Sequence, residues 1–100
     1  MAVTPTVFYR GAAATSATTV YTTPASTTAI VTEIMAANTA GSAATFTIYL
    51  NGTIIANTIT VGANDTTIIA CKQPIAASQV IQALASATTI NLSITGIQQT

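Results

Sequence analysis

Glu33 and Asp65 are the only carboxylates in the chain, and a pair of acids is the smallest set that could hydrolyse a glycosidic bond. Neither context suits that chemistry. Asp65 stands in Asn64-Asp65-Thr66, where an Asx-type turn accounts for it. Glu33 lies inside a long run of strand character, placed to pair with Arg10 or Lys72 within or between subunits. These four residues are all the charge there is, and the chain has no His. General acid–base catalysis needs a proton carrier tuned to its task, and none is offered. Cys71 is the one cysteine. With no imidazole to activate it, it reads as a small buried hydrophobe rather than a nucleophile, and alone it closes no disulfide. Calcium requires about six to eight oxygens with several acids converging. The residues therefore argue against an enzyme, a cofactor or a metal.

Binding chemistry is equally restricted. Phosphate recognition needs several Lys or Arg on one face, and two in total exclude a nucleic-acid partner. Anionic membrane surfaces are disfavoured for the same reason, and no apolar run approaches the ~18 residues of a membrane span. Met1–Pro5 shows no basic segment leading into an apolar one, so no secretory signal is expected. The sequons at Asn51, Asn64 and Asn91 arise readily by chance in a Thr- and Ser-rich chain. Threonine pairs at Thr45/Thr47 and Thr58/Thr60 suggest an ice-binding array, but their spacing does not repeat. A glycan platform would draw on Tyr9, Tyr21 and Tyr49, which read instead as packing or interface anchors.

Period-two alternation sets the frame for these residues. Ile90, Leu92 and Ile94 alternate with Asn91, Ser93 and Thr95, and Ala44, Phe46, Ile48 and Leu50 turn inward from a similar run. Eight strands are expected: 3–10, 17–22, 27–37, 44–50, 53–60, 66–72, 79–86 and 89–95. The seventh also fits a helical stripe. In 27–37 both faces are apolar, with Ile30 and Ile34 on one side and Val31 and Met35 on the other. Asn51-Gly52 signals a type I′ hairpin, Pro24 and Pro74 fall in loops, and Pro5 confines the first strand to an edge or an arm. Gly11–Ser16 reads as a flexible connector. The stretch Pro24–Val31 is echoed by Gly62–Ile69 and more loosely by Pro74–Ile81, a turn feeding a strand each time. The expectation is an all-β chain: an antiparallel two-sheet sandwich of about eight strands, the jelly roll being one form of it. Residues 1–16 form an edge strand or arm with its connector, and 17–100 the sandwich.

From Phe8-Tyr9-Arg10-Gly11 and Val20–Val31 through the hairpin at Ala37–Gly52, the chain resembles small structural proteins of tailed-bacteriophage virions. The likeness is a pattern of strands and turns and carries no catalytic signature. It implies a β-sandwich module of the virion: a capsid decoration or cement protein, a head fibre, or a tail or baseplate part. Within 100 residues the resemblance leaves no room for a fibre shaft or receptor-binding head beside the sandwich, so the capsid surface is the expected location. It also implies a homo-oligomer, a trimer first, bound to the major capsid protein or other virion proteins and made in a bacterial host's cytoplasm. Sparse charge points the same way, because a free small domain usually carries a net charge of about 2–8. The interface candidates are Pro5, Phe8, Tyr9, Arg10, Tyr21, Glu33 and Tyr49. The competing expectation from another class is a glycan- or ice-binding module.

Overall fold

The computed structural model describes residues 3–100 as eight β-strands. They are β1 (Val3–Ala12), β2 (Thr18–Thr22), β3 (Thr28–Asn38), β4 (Ala44–Leu50), β5 (Thr53–Val61), β6 (Thr66–Ile75), β7 (Val80–Ala85) and β8 (Ile90–Gln99). β-Branched residues fill them, as the pleated surface favours, and 79–86 resolves as strand rather than helix. Two four-stranded antiparallel sheets result, in the orders β1-β8-β3-β6 and β2-β7-β4-β5. The first is called the long sheet below and the second the short sheet.

This order has a simple origin. The pairs β1/β8, β2/β7, β3/β6 and β4/β5 are the rungs of one long hairpin whose tip is Asn51-Gly52. Rolling that hairpin and sealing it through β3/β8 and β4/β7 gives two packed sheets, which is the jelly roll. At the tip, Asn51 and Gly52 have φ of 49° and 83°, the left-handed pair that a type I′ turn demands. Phe46, Ile34, Ile48, Ile81, Ile90 and Ile94 fill the space between the sheets with no exposure.

Bulges decide which side chains reach that core. β3 slips register between Val31 and Glu33, so Val31 and Ile34 both turn inward while Ile30 and Met35 face outward. The expected pairing of Ile30 with Ile34 is corrected accordingly, since one extra residue inverts the alternation. β1 slips between Val7 and Tyr9, turning Phe8 into the core and Arg10 out. Gly11 and Ala12 extend β1, and Ala13 is buried with its N–H donating to Ile90 O at 2.8 Å, so the first half of the connector is held in place. Pro74 is likewise within β6 rather than a loop, on an edge strand where a missing N–H is tolerated. Thr47, expected on an open face, is buried and accepts the Thr58 N–H at 3.0 Å.

At one end of the sandwich Asn38 is buried, and its side-chain N–H groups donate to Ser42 O, Val61 O and Gly62 O at 2.8, 3.3 and 3.3 Å. Its Oδ1 accepts from Ala40 N–H and Thr89 O–H. One amide thereby joins three loops. The sequence echo also has a physical meaning: Ser26, Asn64 and Ser78 each have positive φ in the turn that launches the next strand.

Candidate interaction face

The sheet register sorts the outward side chains of the long sheet into rows, since directly paired residues share a face. Along one row lie Pro5, Ile97, Ile30 and Pro74; along the next Val7, Thr95, Glu33 and Ala70; then Arg10, Ser93, Met35 and Ile68. The first row has no polar side chain at all. Of the six large hydrophobics left exposed among the described residues, four belong to this face: Val3, Val7, Met35 and Ile68, the last 56% exposed. A shallow hollow of about 350 Å³ crosses it, with side chains from all four strands in its lining: Arg10 of β1, Ser93 of β8, Met35 and Ala37 of β3, and Thr66 of β6. The short sheet turns a different face outward, with Thr19, Gln82 and Tyr49 in one row and Thr45 beside Thr60. The Tyr49 row ends on the exposed Ile54, so both faces mix apolar and polar side chains, and the uninterrupted apolar row Pro5–Ile97–Ile30–Pro74 is what sets the long sheet apart.

Three of the four charged residues of the chain lie on the outer face of the long sheet: Arg10, Glu33 and, beside Thr32 and Ala70, the exposed Lys72. Arg10 Nε donates to Ser93 Oγ at 3.3 Å. Glu33, half-buried between Thr95 and Ala70, has no ion-pair partner within 4.0 Å among the described residues, so the expected pairing with Arg10 or Lys72 is not made within the chain. Asp65 accepts the Thr66 N–H at 2.8 Å in its turn. Cys71 is half-buried, its thiol donating to Val31 O at 3.5 Å, and burial pushes that thiol up from its ordinary range. Among the described residues no three of His, Cys, Asp and Glu come together.

The edges matter as much as the faces, because an unpaired strand edge invites another chain. Each is blunted by means other than a row of charge. β1 carries Pro5, β6 carries Lys72 and Pro74, β2 is only five residues long, and β5 is kinked where Thr58 takes φ 50°. The gap between the sheets is closed on the β1/β2 side by Phe8 and Tyr21, whose ring centroids lie 4.5 Å apart. Gln98 donates to the Tyr21 hydroxyl from the same side. On the β5/β6 side a groove of about 480 Å³ remains, lined by Ile55, Ile59, Ile69 and Cys71.

No family model, curated protein or solved structure matches the chain. The fold and the surface therefore carry the functional reading.

Of the seven interface candidates, Pro5, Arg10 and Glu33 share the apolar face. Phe8 does not: it is buried against Tyr21 and over Gly96, and is a core residue. Tyr9 is half-buried with its hydroxyl donating to Ala12 O at 2.7 Å, Tyr21 sits at the closed side, and Tyr49 belongs to the opposite face. The three tyrosines form no common platform. Reasoning from alternation missed Val7, Ile68, Ala70 and Ile97 as members of the face. The available signal was the two-sided apolar character of 27–37, read without the bulges that decide which side is outward.

Proposed function

We propose that the protein is a non-enzymatic structural component of a virion, a capsid decoration or cement protein that associates with its own copies and bridges neighbouring shell subunits. The observation that carries this reading is the outward-facing apolar row Pro5–Ile97–Ile30–Pro74 of the long sheet, flanked by the exposed Val3, Val7, Met35 and Ile68. A contiguous exposed patch of that kind marks a contact surface rather than a solvated one. The likeness of its strands and turns to small virion proteins supplies the setting. The jelly roll is also the fold of viral capsid and lectin domains, an analogy of fold alone.

Cementing is a packing task. A bridging subunit adds buried area that opposes opening of the lattice, and its contacts rest on apolar burial and on backbone, Thr and Asn hydrogen bonds. Attachment should therefore respond weakly to salt, unlike association steered by charge. β1 belongs to this task as a paired strand presenting Val3, Pro5 and Val7, not as a detached arm. Comparing particles with and without the protein under heat or chelation tests the proposal. Lower resistance of the particles lacking it is expected. Equal robustness, or micrographs that place the protein on the tail, would overturn the cement assignment.

A further inference from the structure

The four outer strands are not protected along their whole length. β1 carries Pro5 and slips register at Phe8, β2 slips within its five residues, and β5 slips twice opposite Phe46–Tyr49 of β4. On β6 the protection is confined to the second half. Lys72 and Pro74 lie there, and so does the bulge that sets Cys71 and Lys72 against Thr32. The first half, Thr66-Thr67-Ile68-Ile69-Ala70, runs against Glu33–Ala37 in unbroken register. It holds no proline, glycine or charge, and four of its five residues are β-branched, so it stays straight and extended.

Hydrogen bonding along this half has a definite phase. Asn38 N–H donates to Asp65 O at 2.8 Å, and in an antiparallel ladder such bonded pairs recur at every second residue. Asp65, Thr67 and Ile69 therefore turn their backbone groups to β3, while Thr66, Ile68 and Ala70 turn theirs to the open edge. The Thr66 N–H is taken by Asp65 Oδ1. With β6 last in its sheet, the N–H groups of Ile68 and Ala70 and the carbonyls of all three residues form a row with no strand opposite it among the described residues. What satisfies such a row is another extended backbone. The groove of about 480 Å³ runs beside the same edge, lined by Ile55, Ile59, Ile69 and Cys71 and by no charged residue. A strand laid along β6 sends alternate side chains to opposite faces, so those opposite Thr67 and Ile69 enter the groove.

We infer that Thr66–Ala70 is a strand-addition site: an extended, uncharged segment of a partner protein, about five residues long, pairs antiparallel with the free edge of β6 and seats apolar side chains in the groove beside Ile69. A second folded copy fits less well. Joining two long sheets edge to edge would set their β5 strands against each other in the adjoining layer, and β5 is kinked where Thr58 takes φ 50°. A lone strand has no second layer to accommodate. The site concerns the isolated chain and stands apart from the virion assignment.

The test uses the full chain and a synthetic peptide with blocked ends, Gly-Ser-Thr-Val-Thr-Val-Thr-Ser-Gly, whose valines match the two inward positions. Amide hydrogen exchange followed by NMR should show Ile68 and Ala70 slowed about 10-fold at near-saturating peptide. Ala70→Pro removes one edge donor and leaves the β3 ladder whole. It should weaken binding about 10-fold, as the loss of one or two hydrogen bonds does, with circular dichroism confirming its fold. The same peptide N-methylated at its three threonines keeps every side chain, loses the donors that face β6, and should not bind; this comparison holds even if the proline variant fails to fold. No slowing at Ile68 and Ala70, or equal binding of the methylated peptide, would overturn the inference. Slowing that appears with chain concentration alone would also overturn it, giving the edge to a second copy.

Discussion

Gly96→Ala should be among the most damaging small substitutions in this chain. Gly96 sits in β8, between Thr6 of β1 and Val31 of β3. A methyl group built there would lie 1.9 Å from the Ile30 carbonyl oxygen, 2.9 Å from its carbon and 2.8 Å from the Phe8 ring. Ordinary carbon–oxygen approach is about 3.3 Å, so β3 and β8 must part locally by more than an ångström. The backbone cannot swing aside as a side chain would. One or two ladder hydrogen bonds at about 0.5–1.5 kcal/mol each and an overpacking cost of about 1–3 kcal/mol at Phe8 give a loss of roughly 2–5 kcal/mol. Urea titration followed by circular dichroism would read it as a lowered midpoint with little change in slope. Adding Phe8→Leu to Gly96→Ala should recover little, because the carbonyl contact remains. A loss under about 1 kcal/mol would show that β3 and β8 do not approach as described, and with them the register of the long sheet.

Three further outcomes follow from particular residues. Asn38→Ala should cost about 2–4 kcal/mol, since it strands buried donors and acceptors in three loops; Asn38→Asp should lose a similar amount in the same denaturant titration, because a carboxylate cannot donate to those carbonyls. Thr58→Asn should raise stability by about 0.5–1 kcal/mol, relieving a β-branched side chain of its left-handed conformation, and an unchanged or lowered melting temperature would contradict the kink. Cys71 should label slowly with a disulfide reagent in the folded chain and quickly in urea. Its thiol is raised by burial, so above the unfolded value of about 8.5 the unfolded state loses its proton first and stability falls with rising pH; Cys71→Ala should abolish that fall.

What the sequence made legible was local. Alternation placed Phe46, Ile48 and Leu50 inward, and Asn51-Gly52 located the hairpin tip, because each depends on a few adjacent residues. The pairing order did not emerge, since β1 meets β8 and β3 meets β8 across most of the chain. The bulges at Phe8 and Thr32 were invisible for a related reason: alternation continues through them in sequence, and only the partner strand reveals the slip. They hide Phe8 and turn Arg10 and Met35 outward, so the candidate face was only half legible. Pro74 was read as a loop residue because composition does not tell an edge strand from a turn.

Hydroxyl-radical footprinting of the assembled protein, on particles or as the concentrated oligomer, reaches the central claim most directly, because it asks which face is covered. Met35 and Ile68 should be strongly protected relative to dilute chain, while Tyr49 on the short sheet remains as reactive as before. Equal reactivity of Met35 and Ile68 in the dilute and assembled states would contradict burial of the long sheet's outer face, and protection of Tyr49 alone would assign the contact to the opposite side.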